Sequence, residues 1–416
     1  MKKKSFITAI AILLFLILLG NFYHLYNFAR GCWGWAIGDW LVNFQAGFVR
    51  RGLSGYLTGL LSGLFHLKLN MTMMLLQMMF YAACMSVFFL LFYRKKLNAW
   101  FLAALFSPAT LLFTVFDANA AGRKEIILFF LFAVYLLLLK KGALKSVYAV
   151  LIFSIALLAA TLFHELVFFY TPYFFLAAWL QAQTDHTPFN VSKSILAVAG
   201  SWLIILPIYF FGRNIDGYAI CEGLKAQGLP DSICLGILSW PADYGVKNVI
   251  QFAGESHYLF VYGTTFLLSL IPFLLLVRSL NVPGITLKRF TVVLFFLLVF
   301  SSPLFFLAVD WGRWLNIHFM LLLFSATLLL KNNTAETGSN ILAEFPEVPR
   351  LWTGKTTFSK SLNNTVFFVL ALSYVAFWSM PHFGYSPVFS LTKNFYSVKH
   401  LATDVFHALF HFFKSL

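Results

Sequence analysis

The chain has 416 residues, of which 60% are hydrophobic, 19% aromatic and only 11% charged, with a formal net charge of +15. Ordinary soluble domains carry about a quarter charged residues, so this composition excludes one and predicts an all-α polytopic membrane protein. In such a chain a positive excess follows from membrane topology, and no nucleic-acid partner is expected.

The first element, Phe6–His24, follows the basic "MKKK". No small-residue cleavage site succeeds it, so a retained signal-anchor helix is expected. Further apolar runs cover Leu69–Tyr93, Ala99–Phe116, Glu125–Leu139, Val147–Phe163, Leu166–Leu180, Ile195–Phe211, Tyr258–Val277, Phe290–Val309, Trp314–Leu330 and Val366–Met380. Together they predict about eleven spans. "MKKK", Arg94–Lys96, Lys140–Lys145, Lys193, Arg278, Lys288–Arg289 and Lys331 fall on alternate connections, which makes those connections cytoplasmic.

On this topology residues 1–416 form one helical transmembrane domain. A first outer loop occupies 25–68 and contains the amphipathic stretch "SGYLTGLLSGLFHL". A second long outer loop occupies 212–257, a polar cytoplasmic linker 332–364, and an outer interfacial tail 381–416. Within "CEGLKAQGLPDSIC", Cys221 and Cys234 lie on the oxidising side, where a disulfide is expected; two free thiols are the alternative. There is no Walker loop and no dinucleotide fingerprint, which excludes an ATP-driven engine of that kind.

The outer junctions gather the polar chemistry. Loop one holds Asp39, Arg50 and Arg51. "DANAAGRKE" supplies Asp117, Arg123, Lys124 and Glu125; "FHE" supplies His164 and Glu165; "DWGRW" supplies Asp310 and Arg313. Charges against span ends are costly unless paired or used. Arginine forks suit phosphate oxygens, a carboxylate takes a proton from a hydroxyl, and the loop-one residues Trp33, Trp35, Trp40 and Tyr56 suit an interface or a sugar face. The expected catalytic residues are Asp39, Asp117, His164 and Glu165, with Asp39 as base. Arg50, Arg51, Arg123, Lys124, Glu125, Asp310 and Arg313 are expected to bind phosphate or substrate. His400, Asp404, His407 and His411 share a helical face, but a wet interfacial face is the expectation there. The tail spacing is the one that could hold a metal, Cys32 and Cys84 have no metal-ligand spacing, no cofactor is assigned, and a divalent metal is left open.

This layout resembles the GT-C superfamily of polyprenyl-phosphate-sugar glycosyltransferases. Those enzymes have a first outer loop with a catalytic acid, juxtamembrane helices and short Arg/Glu motifs. Asp39 matches the loop-one acid, and "GRKE" resembles an R-x-E element opening a span; many members carry adjacent acids where this chain has Asp39-Trp40. "FHE" and "GRKE" also resemble elements of integral-membrane surface-polysaccharide polymerases and ligases. Both resemblances imply membrane lipid and a polyprenyl-phosphate-linked sugar as partners, a bacterial inner membrane, and an active face outside the cytoplasm. The alternatives are a transporter or flippase for a lipid-linked or anionic solute, and an assembly scaffold.

Overall fold

The computed structural model describes residues 3–212, 217–239, 245–280, 284–332, 369–384 and 386–415. Among them helices carry the architecture, and β-pairing is limited to isolated bridges joining Lys95 to Asn332 and Trp378 to Phe389. The expected linker 332–364 lies outside the described residues except for Asn332.

The main helices, in chain order, are α1 (Lys3–Gly31), α2 (Gly52–Phe65), α3 (Leu69–Phe92), α4 (Ala99–Leu105), α5 (Glu125–Lys140), α6 (Val147–Phe163) and α7 (Pro172–Thr184). They continue with α8 (Val191–Phe211), α9 (Gly217–Ala226), α10 (Val246–Glu255), α11 (Tyr258–Leu280), α12 (Leu287–Leu307), α13 (Trp311–Leu329) and α14 (Leu391–Ser415). Six of them, α1, α3, α8, α11, α12 and α13, are long and apolar enough to cross a bilayer. The other expected spans are shorter or broken, and each break has a local cause. The Ala99–Phe116 run stops after Leu105, and a turn follows in which the Thr110 hydroxyl binds the Ala104 carbonyl at 2.6 Å; helix resumes at Phe113. The Leu166–Leu180 run divides before Pro172, whose missing N–H suits a first helical position. Of the last run, residues 369–376 are helical.

α13 is the axis of the bundle. Its apolar window is wholly buried, against roughly a quarter to a half for the other five long helices, so protein rather than lipid surrounds it. α6 and α8 pack face to face at Gly200, where an added Cβ would lie 2.1 Å from the Ser154 carbonyl oxygen. The Gly200 N–H instead donates to Ser154 Oγ at 2.8 Å, the small-residue contact that lets apolar helices approach closely.

The two ends of the bundle differ in charge. At one end lysines close off exposed carbonyls: Lys95 Nζ donates to Leu330 O at 2.9 Å and Lys193 Nζ to Lys145 O at 2.5 Å. At the other end lie the C-terminus of α1, the N-termini of α5 and α13, and the C-terminus of α6. Loop one folds over this end as short turns at Gly34–Gly38, Asp39–Leu41 and Phe44–Ala46 followed by α2. The disulfide Cys221–Cys234 ties α9 to the turn Asp231–Cys234, which packs on Gly34–Gly38. α14 lies against α1, with Leu401 beside Gly20.

Candidate functional site

All four polar junctions meet at this second end. Arg51 is their hub. Its Nε lies 3.0 Å from both Glu165 oxygens, its Nη2 2.6 Å from Glu165 Oε1, and its Nη1 3.2 Å from Asp39 Oδ1. Lys124, fully buried, places Nζ 3.8 Å from Asp39 Oδ1 and donates to the Arg51 carbonyl at 3.5 Å. Loop one, the 117–125 turn and the α6 terminus are thereby joined through charge.

The sequence places Arg50 and Arg51 side by side, and the backbone separates their roles. Arg51 is not within a helix: it precedes α2 in the left-handed region, at φ 65°. A non-glycine residue held there costs about 1–2 kcal/mol, and the grip of Glu165 and Asp39 on its side chain holds it. Arg50 is the more exposed neighbour, with Nη1 3.7 Å from Glu165 Oε1.

A second group surrounds Arg313. Its Nε donates to Glu125 Oε1 at 2.9 Å, its Nη2 contacts the same oxygen, and its Nη1 donates to Asp310 Oδ2 at 2.6 Å. Asp310 also faces His382, whose Nε2 is 3.4 Å from Oδ1. Asp117 accepts from Asn119 N at 3.1 Å and from His382 N at 2.9 Å. It therefore caps the short turn Ala118–Ala120 and pins the tail, whereas α5 starts only at Glu125.

Arg123 differs from its neighbours. It is buried, and its Nε and Nη1 donate to the carbonyls of Asn119 (3.2 Å) and Trp35 (2.8 Å), with the guanidinium 5.8 Å from the Trp33 ring centre. No described carboxylate lies within 4.0 Å of it. The preceding Gly122 has φ 74°, and its carbonyl accepts from Trp40 Nε1 at 2.9 Å and Gln77 Nε2 at 2.8 Å. That double anchor fixes the turn from which Arg123, Lys124 and Glu125 project.

The electrostatics follow from burial and pairing. Burial alone would raise the Asp39 carboxyl, but Lys124 and Arg51, with a smaller contribution from Arg313, outweigh it and hold the acid well below the usual carboxylate range. Glu165 is held low likewise, burial being overcome by Arg51 and Arg50. Burial pushes the Lys124 ammonium down to about 8, against the pull of Asp39. Burial and the Arg313 charge take Arg123 down to about 10. His164 is held well below its ordinary value by burial and Arg51, so it is neutral. Its Nδ1 accepts from Leu166 N at 3.2 Å, which leaves the proton on Nε2. His164 is thus a neutral hydrogen-bond donor.

Asp39, the base expected from the sequence, is clasped between Arg51 and Lys124, and a carboxylate so held takes a proton poorly. Its geometry suits aligning those cations. Sequence reasoning passed over His382, which lies in the tail after the last apolar run. It also passed over His318 inside α13, which bridges three helices, Nδ1 to Tyr173 OH and Nε2 to Ser301 Oγ, both at 2.7 Å. Neither stands in a charged stretch of the sequence, so composition gives no sign of them. Of the tail histidines, His407 and His411 have side chains outside the described residues. Among the described residues no three of His, Cys, Asp or Glu gather as a metal site requires.

Residues 7–240 match the family model described as "Uncharacterised membrane protein Rv1490". The chain belongs to that family. It is a multi-pass helical membrane protein, and the matched region holds Asp39, Arg50, Arg51, Arg123, Lys124, Glu125, His164, Glu165 and the disulfide. It ends before Asp310, Arg313 and His382, so the Rv1490 region supplies most of the charged site and the C-terminal part completes it. No curated protein and no solved structure matches the chain.

Proposed function

We propose that this Rv1490-family protein is a membrane glycosyltransferase that moves a sugar or oligosaccharide from a polyprenyl-phosphate carrier to an acceptor hydroxyl in cell-surface polysaccharide or glycoconjugate synthesis. The reading places it in a bacterial inner membrane with the charged end outside the cytoplasm. It keeps about eleven crossings, with the Ala99–Phe116 and Leu166–Leu180 runs as broken ones.

The observation that carries it is Arg123. In a site where the other guanidiniums already have carboxylate partners, Arg123 is buried and, among the described residues, holds only carbonyl oxygens and an aromatic face. A buried cation with no carboxylate in contact is costly even with Asp310, Glu125 and Asp39 nearby, so its retention favours an anion supplied by a ligand. Phosphate is an anion whose oxygens a planar fork meets well. The His164 Nε2–H and the half-exposed Arg50 are further donors at the same end.

Transfer bonds the acceptor oxygen to the sugar's anomeric carbon as the bond from that carbon to the phosphate oxygen breaks; the electron pair leaves on the phosphate, which takes up the acceptor's proton. Arg123, Arg50 and Lys124 stabilise that growing charge, and buried cations do so more strongly than the same groups in water. Glu165 and Asp39 hold Arg51, and with it the start of α2. α2 presents exposed Tyr56, Leu60, Leu64 and Phe65, and a groove of ≈ 380 Å³ beside it is lined by Leu41, Phe44, Tyr56 and Leu224. That apolar surface suits the lipid chain of the carrier.

The deciding experiment compares lipid-linked sugars, by mass spectrometry, in cells with and without the gene. Accumulation of a polyprenyl-phosphate sugar that disappears on complementation supports the reading. An unchanged lipid-linked pool together with an altered distribution of the same lipid across the membrane would favour a flippase instead.

A further inference from the structure

Beneath the charged end lies a partly open cavity of ≈ 50 Å³, walled by Asn21 of α1, Cys84 of α3, Thr114, Arg123, Glu125 and Arg313. Two buried side-chain oxygens of these wall residues have no hydrogen-bond partner among the described residues: Glu125 Oε2 and Asn21 Oδ1. Both residues are more than nine-tenths buried. Each has its other atom engaged, Glu125 Oε1 by Arg313 and the Asn21 amide by the Ile17 carbonyl at 2.9 Å. The remaining oxygens are therefore fixed in place and cannot turn elsewhere for a donor. Asn316, another wall residue, spends its amide on the Ala109 carbonyl at 2.9 Å.

A buried acceptor left without a donor is expensive, and two around one cavity indicate something that supplies donors. A cation is disfavoured, because the Arg123 and Arg313 guanidiniums share the wall. A phosphate offers acceptors where the orphaned atoms are themselves acceptors. A hydroxyl both donates and accepts: it can give its proton toward Glu125 Oε2 or Asn21 Oδ1 and take an N–H from Arg123. The volume holds about three or four water-sized groups, too little for a whole sugar ring but enough for one hydroxylated edge.

We propose that this cavity is a hydroxyl subsite which seats one edge of a polyhydroxylated ring, with Asn21 and Glu125 as its acceptors. The inference rests on the glycosyltransferase reading and adds the part of the substrate that the buried end of the site recognises. Asn21 belongs to it although it lies within the first apolar helix, outside every charged junction. The ring has two sources, the lipid-linked donor and the acceptor, and their hydroxyls have the same chemistry.

Cys84 is a reporter already in the wall, since it is free and buried there. The full chain in lipid nanodiscs is treated with methyl methanethiosulfonate, and modification of Cys84 is followed by peptide mass spectrometry. A Thr114→Cys variant reads the same cavity from another wall. A polyprenyl-phosphate monosaccharide is expected to slow modification at least threefold, and sugar-free polyprenyl phosphate to leave the rate unchanged. Protection by a methyl glycoside alone would assign the cavity to the acceptor's ring and still support a hydroxyl subsite. Asn21→Leu is expected to abolish protection and lower turnover about tenfold, the loss of one buried hydrogen bond, with binding of sugar-free polyprenyl phosphate retained. Asn21→Ser, a smaller change, should give an intermediate loss.

Equal protection by the sugar-free lipid would overturn the proposal and assign the cavity to phosphate. Turnover of lipid-linked sugar with no ligand protecting either cysteine would also overturn it, leaving the cavity to structural water and the glycosyltransferase reading intact. Absence of both turnover and protection would sink that reading, and the subsite with it.

Discussion

Arg51 and Glu165 meet across 114 positions of sequence, with two guanidinium nitrogens on one carboxylate, and so fasten loop one to the terminus of α6. The contact is partly buried, so it is worth less than a fully buried pair, yet removing one partner strands the other. Glu165→Gln is expected to lower thermal stability by about 2 kcal/mol, and Arg51→Leu by at least as much. The double variant Arg51→Leu/Glu165→Gln should lose clearly less than the sum of the single losses, as measured by thermal unfolding in detergent. Additive losses would mean the contact does not couple the two segments.

Arg123→Lys tests the anion site. It keeps the charge and removes the planar fork that reaches two carbonyls and leaves donors for a phosphate. Expression and thermal stability should hold near wild type, with polyprenyl-phosphate binding and turnover reduced about tenfold or more. Unchanged binding would reduce Arg123 to a brace for loop one.

Lys124 gives the pH dependence its sign. Its ammonium is at about 8 in the folded chain, below the ordinary 10.5, because burial disfavours the charge. Between those values the folded chain binds fewer protons than the unfolded one, so this group makes stability rise with pH across that window. Anion binding should move the other way and weaken as pH passes about 8 and the ammonium discharges. Lys124→Arg keeps the charge and should remove that loss, read as phosphate-lipid affinity between pH 7 and 9.5. An identical pH profile in the variant would assign the titration to another group.

The charged site was legible because every ionisable residue at a span end stands out in so apolar a chain. "DANAAGRKE", "FHE" and "DWGRW" announce themselves by cost, and they converge. Pairing was not legible, because nothing in the local sequence says that Arg51 takes Glu165 or that Arg313 takes Glu125. His382, Asn21 and Gln77 were missed for the opposite reason: each is a single polar residue whose partner is a distant backbone, carboxylate or cavity. Two apolar runs prove to be broken helices, at Pro172 and at the Thr110 turn. Hydropathy cannot tell a lipid-facing span from a broken helix packed inside protein. α13 shows the same limit from the other side, having a low mean hydropathy of 1.3 and complete burial.

Gly122→Ala probes the turn that aims Arg123, Lys124 and Glu125. The backbone there has φ 74°, and an added Cβ would lie 3.2 Å from Leu25 and 3.3 Å from Ala36. The left-handed conformation alone costs about 1–2 kcal/mol for a residue with a side chain. The carbonyl held by Trp40 and Gln77 would also shift, so activity should fall further than stability does. A variant with wild-type turnover would show that the turn tolerates repositioning.

Sidedness is the last test, because the catalytic reading needs the charged end to face away from the cytoplasm. Asn119 is exposed at that end beside Asp117, and Ser146 is exposed at the opposite end just before α6. The native cysteines interfere little, since Cys32 and Cys84 are buried and Cys221–Cys234 is a disulfide. Asn119→Cys should react with a membrane-impermeant maleimide in intact cells, and Ser146→Cys only after the membrane is opened. This pattern follows if the lysine-rich connections at Lys95, Lys140 and Lys193 are cytoplasmic, as the charge bias for insertion requires. Reaction of Ser146→Cys alone in intact cells would invert the topology. A lipid-linked sugar in the outer leaflet would then never meet Arg123, and the glycosyltransferase proposal would fail on geometry whatever the site can bind.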